Sequence, residues 1–466
     1  MSSHSIRLGG KHAGVDMTQG NILGHLLRFA LPLMLGNLFQ QLYNMVDTWV
    51  VGNFVSNEAF SAVGAVTPIV NMLIGAFSGL ASGAGVVISQ NFGAGRQDKV
   101  SQAVHTSVVL TFIMAIAFTI IGFAVAPALL SLMNLHESAR DEALLYLNIY
   151  FAGLCGLMIY NMGSGILRAI GDSRRPFYYL VVCALINTGL DLLFVLQFNM
   201  GVAGVAWATI IAQGVSAILI VITLLTTSSS VRVTPKKLRI HADMIKKILL
   251  LGIPAGLQLA VTAFSNVFVQ SYITYFDQGL AAPDHMSGWT AYIKVDQLLF
   301  LPMQSVALAV TTFVGQNLGA GLPKRARKGV TCAHLMVTTV TFVLMIPVVI
   351  FAPQIVSFFN SKPEVIETGA LFLRLLTPFY ILCGFNQVYA SALRGSGNSI
   401  VPMIMMLSSF VVFRQVYLFV MSQICNQVIP IALSYPAGWL LCSVLTAIYY
   451  HTTKLERTRL VEPNKE

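Results

Sequence analysis

Charge is what this chain has least of. Only 10% of its 466 residues are Asp, Glu, Lys or Arg, and 56% are hydrophobic, whereas soluble domains carry about a quarter charged residues. So few charges cannot solvate a globular surface of this size, which excludes a water-soluble fold. Zinc-type spacing is also missing, because no two of the nine histidines stand at ligand separation. The six cysteines, Cys155, Cys183, Cys332, Cys383, Cys425 and Cys442, lie inside or at the edges of apolar runs. They read as small core residues, neither a disulfide framework nor a metal set. There is no cluster of nucleophile, base or metal ligands, as a membrane-embedded enzyme would need, and no cofactor is called for. The first twenty residues lack an apolar core segment, so they are expected to be a polar tail and not a cleavable signal peptide.

What the sequence does have is apolar runs of roughly 20 residues, each long enough to cross about 30 Å of hydrocarbon as a helix. The expected fold is all-α and polytopic, with twelve spans near 29–52, 59–86, 101–126, 143–166, 177–198, 202–225, 246–274, 289–314, 330–352, 369–392, 401–424 and 428–450. Most of the 28 basic residues fall in the two tails and the even-numbered loops, including Arg96, Lys99, Arg174, Arg175, the Arg232–Lys247 cluster and the Lys324–Lys328 cluster. Only Arg140 and Lys362 lie in the opposite loops. This bias predicts a multi-pass protein of the cytoplasmic (inner) membrane with both termini inside. The net charge of +10 is then mostly a topology signal plus attraction to anionic lipid; nucleic acid is not an expected partner.

The two halves are copies. SQNFGAGRQDK at 89–99 is echoed by GQNLGAGLPKR at 315–325, and SGILRAIGDSRRP, ending in Pro176, by ASALRGSGNSIVP, ending in Pro402. Both pairs are 226 positions apart, as from Gln90 to Gln316. Pro32 and Asn44 stand twelve apart, as do Pro254 and Asn266. Six helices per copy is an even number, so both copies enter from one side and are related by a pseudo-two-fold along the membrane normal. The expected division is a tail (1–24), an N-lobe of six helices (25–225), a linker (226–244), a C-lobe of six (245–452) and a second tail (453–466). Two such bundles frame a central cleft, and rocking one against the other gives alternating access. The glycines of Q-N-x-G-A-G end a helix where a phosphate cradle would open one, so they read as structural turns.

Ionisable groups inside apolar spans cost roughly 2.5 to 3.5 kcal/mol each at the bilayer centre, which makes them functional candidates. In the first span, Asn37, Gln40 or Gln41, Asn44 and Asp47 recur at three- and four-residue steps, and Tyr43 lies one turn before Asp47. In the fifth span Asn187 lies one turn before Asp191. At 1.5 Å per residue Asp47 is about 28 Å beyond Arg28 and Asp191 about 22 Å beyond Pro176; Thr209, about 10 Å into a span entering from the other side, reaches a similar level. Asn161 fits that level less well. Two dehydrated carboxyls side by side disfavour the doubly charged state, so the pair suits exchange of a proton or binding of Na⁺; the plainer alternative is two hydrogen-bonded buttresses. The second copy does not keep the acids, because Asp47 transfers to Val269, Asp191 to Tyr417 and Asn187 to Phe413. Coupling is therefore expected in the N-lobe.

The C-lobe has Lys294, Asp296 and Arg414 within apolar spans, and Gln258, Thr262, Asn266 and Gln270 in a stripe on the seventh. Asp296 and Arg414 either form an ion pair that locks two helices or line the cleft with Lys294. Gln40, Asn44, Gln258 and Asn266 are further candidates for contact with cargo, with helix packing the alternative.

With these features the chain resembles the multidrug and toxic compound extrusion (MATE) family, within a superfamily that includes flippases of lipid-linked oligosaccharides. The resemblance rests on the two-by-six architecture, the twin QNxGAG turns, LRAIGDSRRP with its echo LRGSGNSIVP, and VDTWVVG closing the first span, and it covers nearly all of residues 25–450. It implies a secondary antiporter in which H⁺ or, as the alternative, Na⁺ entry drives export of amphiphilic, often cationic, small organic compounds; separately, the chain is expected to act as a monomer. Tyr43, Asp47, Asn187, Asp191 and Thr209 match the N-lobe cation-coupling site of the DinF-like branch, where protonation is held to bend the first helix; Pro32 offers a bend, far from Asp47. The chain departs from the NorM-like branch, since Thr262 stands eight residues after Pro254 where an acid is expected and the tenth span has no acid. A flippase of lipid-linked saccharides is the alternative; the N-lobe acids argue against it, and Lys294 and Arg414 keep it open.

Overall fold

A computed structural model describes residues 14–132, 137–276, 285–425 and 427–462. Hydrocarbon offers the backbone no hydrogen-bond partners, so each apolar segment satisfies its own N–H and C=O groups by coiling; the described residues are almost wholly helical. The N-lobe comprises α1 (Ile22–Phe54), α2 (Asn57–Gly93), α3 (Gln97–Leu132), α4 in two pieces (Glu137–Ala152 and Leu154–Ala169), α5 (Arg174–Gln197) and α6 (Gly201–Thr226). The C-lobe comprises α7 (Ala242–Phe276), α8 (His285–Gly319), α9 (Pro323–Ile350), α10 (Pro363–Ser396), α11 (Ile400–Ile424) and α12 (Val428–Thr452). Eleven of these are long and apolar enough to cross a bilayer as they stand, and the bent α4 pair makes twelve. The helices run past the apolar cores read from sequence: α1 already starts at Ile22, where the Asn21 side chain accepts from the Gly24 N–H and caps it.

The outer surface is a lipid solvent shell. Ile116, Ile120, Leu185, Ile218, Leu335, Val343 and Phe419 are each more than half exposed, which a hydrocarbon environment tolerates for so many large apolar side chains. Asp47, Asn187, Asp191, Gln258 and Arg414, by contrast, are buried.

Among the breaks in helical regularity, three lie beside a buried polar or tightly packed position. The two pieces of α4 meet at 51° around Gly153, where an added Cβ would lie 2.4 Å from Ile210 of α6; glycine permits the close crossing. The last turn of α5, Leu193–Gln197, is π-helical and directly follows Asp191 and Leu192. In α11 a π segment, Ser408–Phe413, directly precedes Arg414. Such π insertions re-aim side chains and concentrate at functional positions.

Both tails, the linker and the turns after the even-numbered helices share one end of the molecule, as contacts Met17–Gln316, Gln316–Ala169, Leu460–Gln90 and Thr234–His105 show; we call it the tail face. The Q-N-x-G-A-G turns lie here, and their final glycines, Gly95 and Gly321, adopt φ of 69° and 73°, the left-handed values that let a helix close without a Cβ penalty.

The lobes meet along α2 and α7, supported by α1 and α2 against α8. The α2–α7 seam is antiparallel and backbone-close: a Cβ on Gly79 would stand 2.2 Å from the Gly256 nitrogen, and one on Gly83 2.6 Å from the Gly252 nitrogen. Small residues permit such contact, and in lipid close packing is a main source of helix association. Replacing Gly256 or Gly79 by Leu is expected to destabilise the protein by about 1–3 kcal/mol of overpacking. Thermal unfolding in detergent should show a lower midpoint for each variant; midpoints equal to wild type would mean the seam is not closely packed.

Candidate functional site

Four N-lobe helices converge on one buried chamber. Helix α1 contributes Tyr43 and Asp47, α5 contributes Cys183, Asn187 and Asp191, and α6 contributes Thr209, Gln213 and Ser216, all buried. The bent first piece of α4 adds Tyr146 and Tyr150, also buried and stacked with ring centroids 6.2 Å apart. Asp191 is 0% exposed and Asp47 8%. The structure thus brings together all five residues expected from sequence: Tyr43, Asp47, Asn187, Asp191 and Thr209.

Hydrogen-bond accounting defines what this chamber lacks. The carboxyls of Asp47 and Asp191 are close enough to interact electrostatically, and neither carries a hydrogen when ionised. Thr209 donates its hydroxyl hydrogen to Val205 O at 2.9 Å, in its own helix. Asn187 Nδ2 donates to Thr209 Oγ1 at 3.5 Å, which leaves the amide oxygen of Asn187 turned away from that donor pair. Asp47 Oδ1, both oxygens of Asp191 and Asn187 Oδ1 are consequently buried with no partner. Four acceptor oxygens without a donor are a costly arrangement for a plain buttress. They are a suitable one for a proton shared between the carboxyls, or for a hard cation held by oxygens. The described residues contain no cluster of three or more His, Cys, Asp or Glu suited to a transition-metal ion.

The polar stripe of α1 divides in two. Tyr43 and Asp47 enter the N-lobe, whereas Asn44 is exposed and Gln40 half-buried. Gln41 Nε2 crosses to Gln297 Oε1 of α8 at 3.2 Å, linking the lobes. Asn161 is spent on its own helix, donating to Leu157 O at 2.9 Å.

In the C-lobe Asp296 and Arg414 do not form the ion pair considered from sequence. Among the described residues the ion pairs are Arg175–Asp172 and Lys247–Asp243, both on the tail face. Asp296 accepts instead from the hydroxyls of Tyr292, at 3.4 Å, and Tyr380. Trp289, Phe372, Tyr435 and Trp439 pack around those tyrosines. Arg414 is buried, donates to Phe410 O at 2.8 Å and to Asn266 Oδ1 at 3.0 Å, and lies 4.7 Å above the Tyr435 ring. An aromatic layer therefore separates the two charges. Lys294 is exposed and lies 5.5 Å over the Phe359 ring, and Gln258 is buried between Met406 and Arg394. The candidate cargo residues Gln40, Asn44, Gln258, Asn266, Lys294, Asp296 and Arg414 are thus spread over several environments, not gathered on one wall.

Sequence reading missed Tyr146, Tyr150 and Gln213. A signal existed for the tyrosines, which stand one helical turn apart, but only the bend at Gly153 aims them at the acids. The 226 offset also carries Thr209 to Tyr435 and Tyr146 to Phe372, so the C-lobe equivalent of the acid chamber is filled with rings.

The MatE family matches residues 32–193 and 254–420, one block in each lobe. "Probable multidrug resistance protein YpnP" of Bacillus subtilis is 30% identical over 449 residues, covering 96% of this chain and 98% of that protein. "Probable multidrug resistance protein NorM" of Thermotoga maritima is 28% identical over 414 residues, 85% of each chain. The "FAD transporter" of Shewanella oneidensis is 23% identical over 382 residues, 79% of this chain and 81% of that one. A solved structure described as the outward-facing conformation of a MATE family transporter superposes with a TM-score of 0.89 at 21% identity over 96% of this chain and 99% of that one, a likeness of fold. With a family match in each lobe and a near full-length relative at 30% identity, the chain belongs to the multidrug and toxic compound extrusion (MatE) family and is a polytopic membrane transporter, not an enzyme.

Proposed function

We propose that this protein is a proton-coupled antiporter of the cytoplasmic membrane that exports amphiphilic, cationic small molecules by alternating access. The observation that carries this reading is the set of buried oxygens of Asp47, Asp191 and Asn187 that have no hydrogen-bond partner. Without a cation the carboxyl oxygens repel one another; a proton between the carboxyls removes one of the two charges and gives one oxygen of each a partner. Export follows if the loaded and empty chambers favour different arrangements of α1 against α5 and α6, and hence of the lobes, because a ligand shifts an equilibrium only by binding its two states unequally. Na⁺ is the competing ion, since oxygen donors suit it too. The relatives named multidrug resistance proteins support the cargo class.

The orientation belongs to the same proposal. Basic residues concentrate at the tail face, which supports a cytoplasmic position for that face and both termini. Alkaline phosphatase, active only outside the cytoplasm, should be silent when fused after Thr227 and active when fused after Asn199; the reverse pattern would invert the direction of transport.

The coupling test is efflux of a cationic dye from proteoliposomes under an imposed pH gradient, with a Na⁺ gradient as the parallel arm. Asp47→Asn and Asp191→Asn are each expected to lower gradient-driven efflux by at least about tenfold, the scale of a lost proton-transfer group, while dye binding persists. Wild-type rates in both variants would remove the dyad from the mechanism.

A further inference from the structure

The repeated Q-N-x-G-A-G stretch does more than end two helices. At the tail face α2 and α8 cross with their backbones in contact: a Cβ on Gly93 would lie 2.0 Å from Gln316 O, and one on Gly319 2.0 Å from Gln90 O. The contact is reciprocal, each motif's first glycine meeting the other motif's glutamine. Gln90 Nε2 then donates to Gly395 O in the C-lobe at 2.9 Å, and Gln316 Nε2 to Ala169 O in the N-lobe at 3.0 Å. Ala169 and Gly395 are themselves repeat equivalents, 226 apart. Both glutamines are 0% exposed.

The other end of each amide is also committed. Gln316 Oε1 accepts from the Met17 N–H at 3.0 Å, and Gln90 Oε1 from the Leu460 N–H at 2.8 Å. Each tail thereby bridges both lobes. The N-terminal one packs Gly14 and Val15 against Ile170 and Gly171 of the N-lobe, while Asn317 and Arg325 of the C-lobe donate to Met17 O. The C-terminal one is held to the C-lobe by Ser396–Thr458, at 2.7 Å, and to the N-lobe by Arg96 donating to Glu462 O at 2.8 Å.

We infer that Gln90 and Gln316 are the gating residues of the transport cycle, a reciprocal clasp that holds the tail face shut, with the two chain ends as straps across it. The inference rests on the proposed alternating access. Parting the lobes at this face must break both amide-to-opposite-lobe bonds at once, because they are related by the pseudo-two-fold and lie on two crossing helices. It must also lift both tails, since each is anchored on both lobes. The amide group is needed for both halves of the contact: a hydrocarbon side chain supplies neither, and a carboxylate keeps the acceptor for the tail but loses the donor across the seam. Gln90 and Gln316 are positioning residues, acting through the contact between the lobes.

Hydrogen exchange by mass spectrometry on the full chain in lipid nanodiscs tests this, with the decisive reading taken at the tail that the substitution does not touch. In Gln90→Ala, the N-terminal segment 14–20, bound through Gln316, should exchange about tenfold faster than in wild type, the scale of two buried hydrogen bonds lost. Gln90→Glu should act in the same direction and guards against misfolding of the alanine variant, and amides of α5 and α6 should keep wild-type protection. Unchanged protection of 14–20 in both variants would overturn the clasp and leave only local tail contacts. Gradient-driven efflux in Asp47→Asn reads ion coupling without reference to the tails, which separates failure of this inference from failure of the ion-coupling reading.

Discussion

Two carboxyls and an amide oxygen that find no hydrogen-bond donor are the constraint on which the rest of this molecule turns. In water they would be hydrated at no cost; in a hydrocarbon layer and behind four helices they are not. The fold nonetheless builds toward them: the π turn after Asp191, the bend of α4 at Gly153 and the packing of Tyr43, Tyr146 and Tyr150 all enclose that spot. A cation entering a chamber enclosed in this way would lower its charge and give its unpartnered oxygens a ligand, which is why the proposed coupling is placed there.

The duplicated scaffold was divided between two tasks. Where the N-lobe has Tyr146, Thr209 and Asn187, the C-lobe has Phe372, Tyr435 and Phe413, and its acid, Asp296, comes from a different helix and is satisfied by phenol hydroxyls. Arg414 is satisfied by Asn266, a backbone carbonyl and the Tyr435 face. Charges held this way need no exchangeable ion. What the two lobes kept in common lies at the tail face, where paired glutamines and glycines interlock across the pseudo-two-fold axis.

Much of this was legible in the sequence because a bilayer is a strict solvent. Twelve apolar runs, the bias of basic residues and the 226-residue echo follow from span length and topology alone. The one-turn steps Tyr43–Asp47 and Asn187–Asp191, placed by rise per residue, brought the right side chains to one depth. Less was readable where non-local geometry decides. Periodicity put Asn44 and Asp47 on one stripe, but packing sends Asp47 into the lobe and leaves Asn44 exposed. Opposite charge suggested an Asp296–Arg414 pair, but an aromatic layer lies between them. The QNxGAG turns were recognisable as helix ends; that each glutamine reaches into the opposite lobe depends on how two helices far apart in sequence cross.

The central claim is that the Asp47–Asp191 chamber holds an exchangeable proton at neutral pH. Infrared difference spectroscopy of the protein in lipid, without Na⁺, reads this directly through the carbonyl stretch of a protonated carboxylic acid. The expected spectrum contains such a band, sensitive to deuterium oxide, shifted when cargo is added and missing in Asp191→Asn. A spectrum in which both carboxyls are ionised at neutral pH, with no response to cargo or to added Na⁺, would contradict ion coupling at this site.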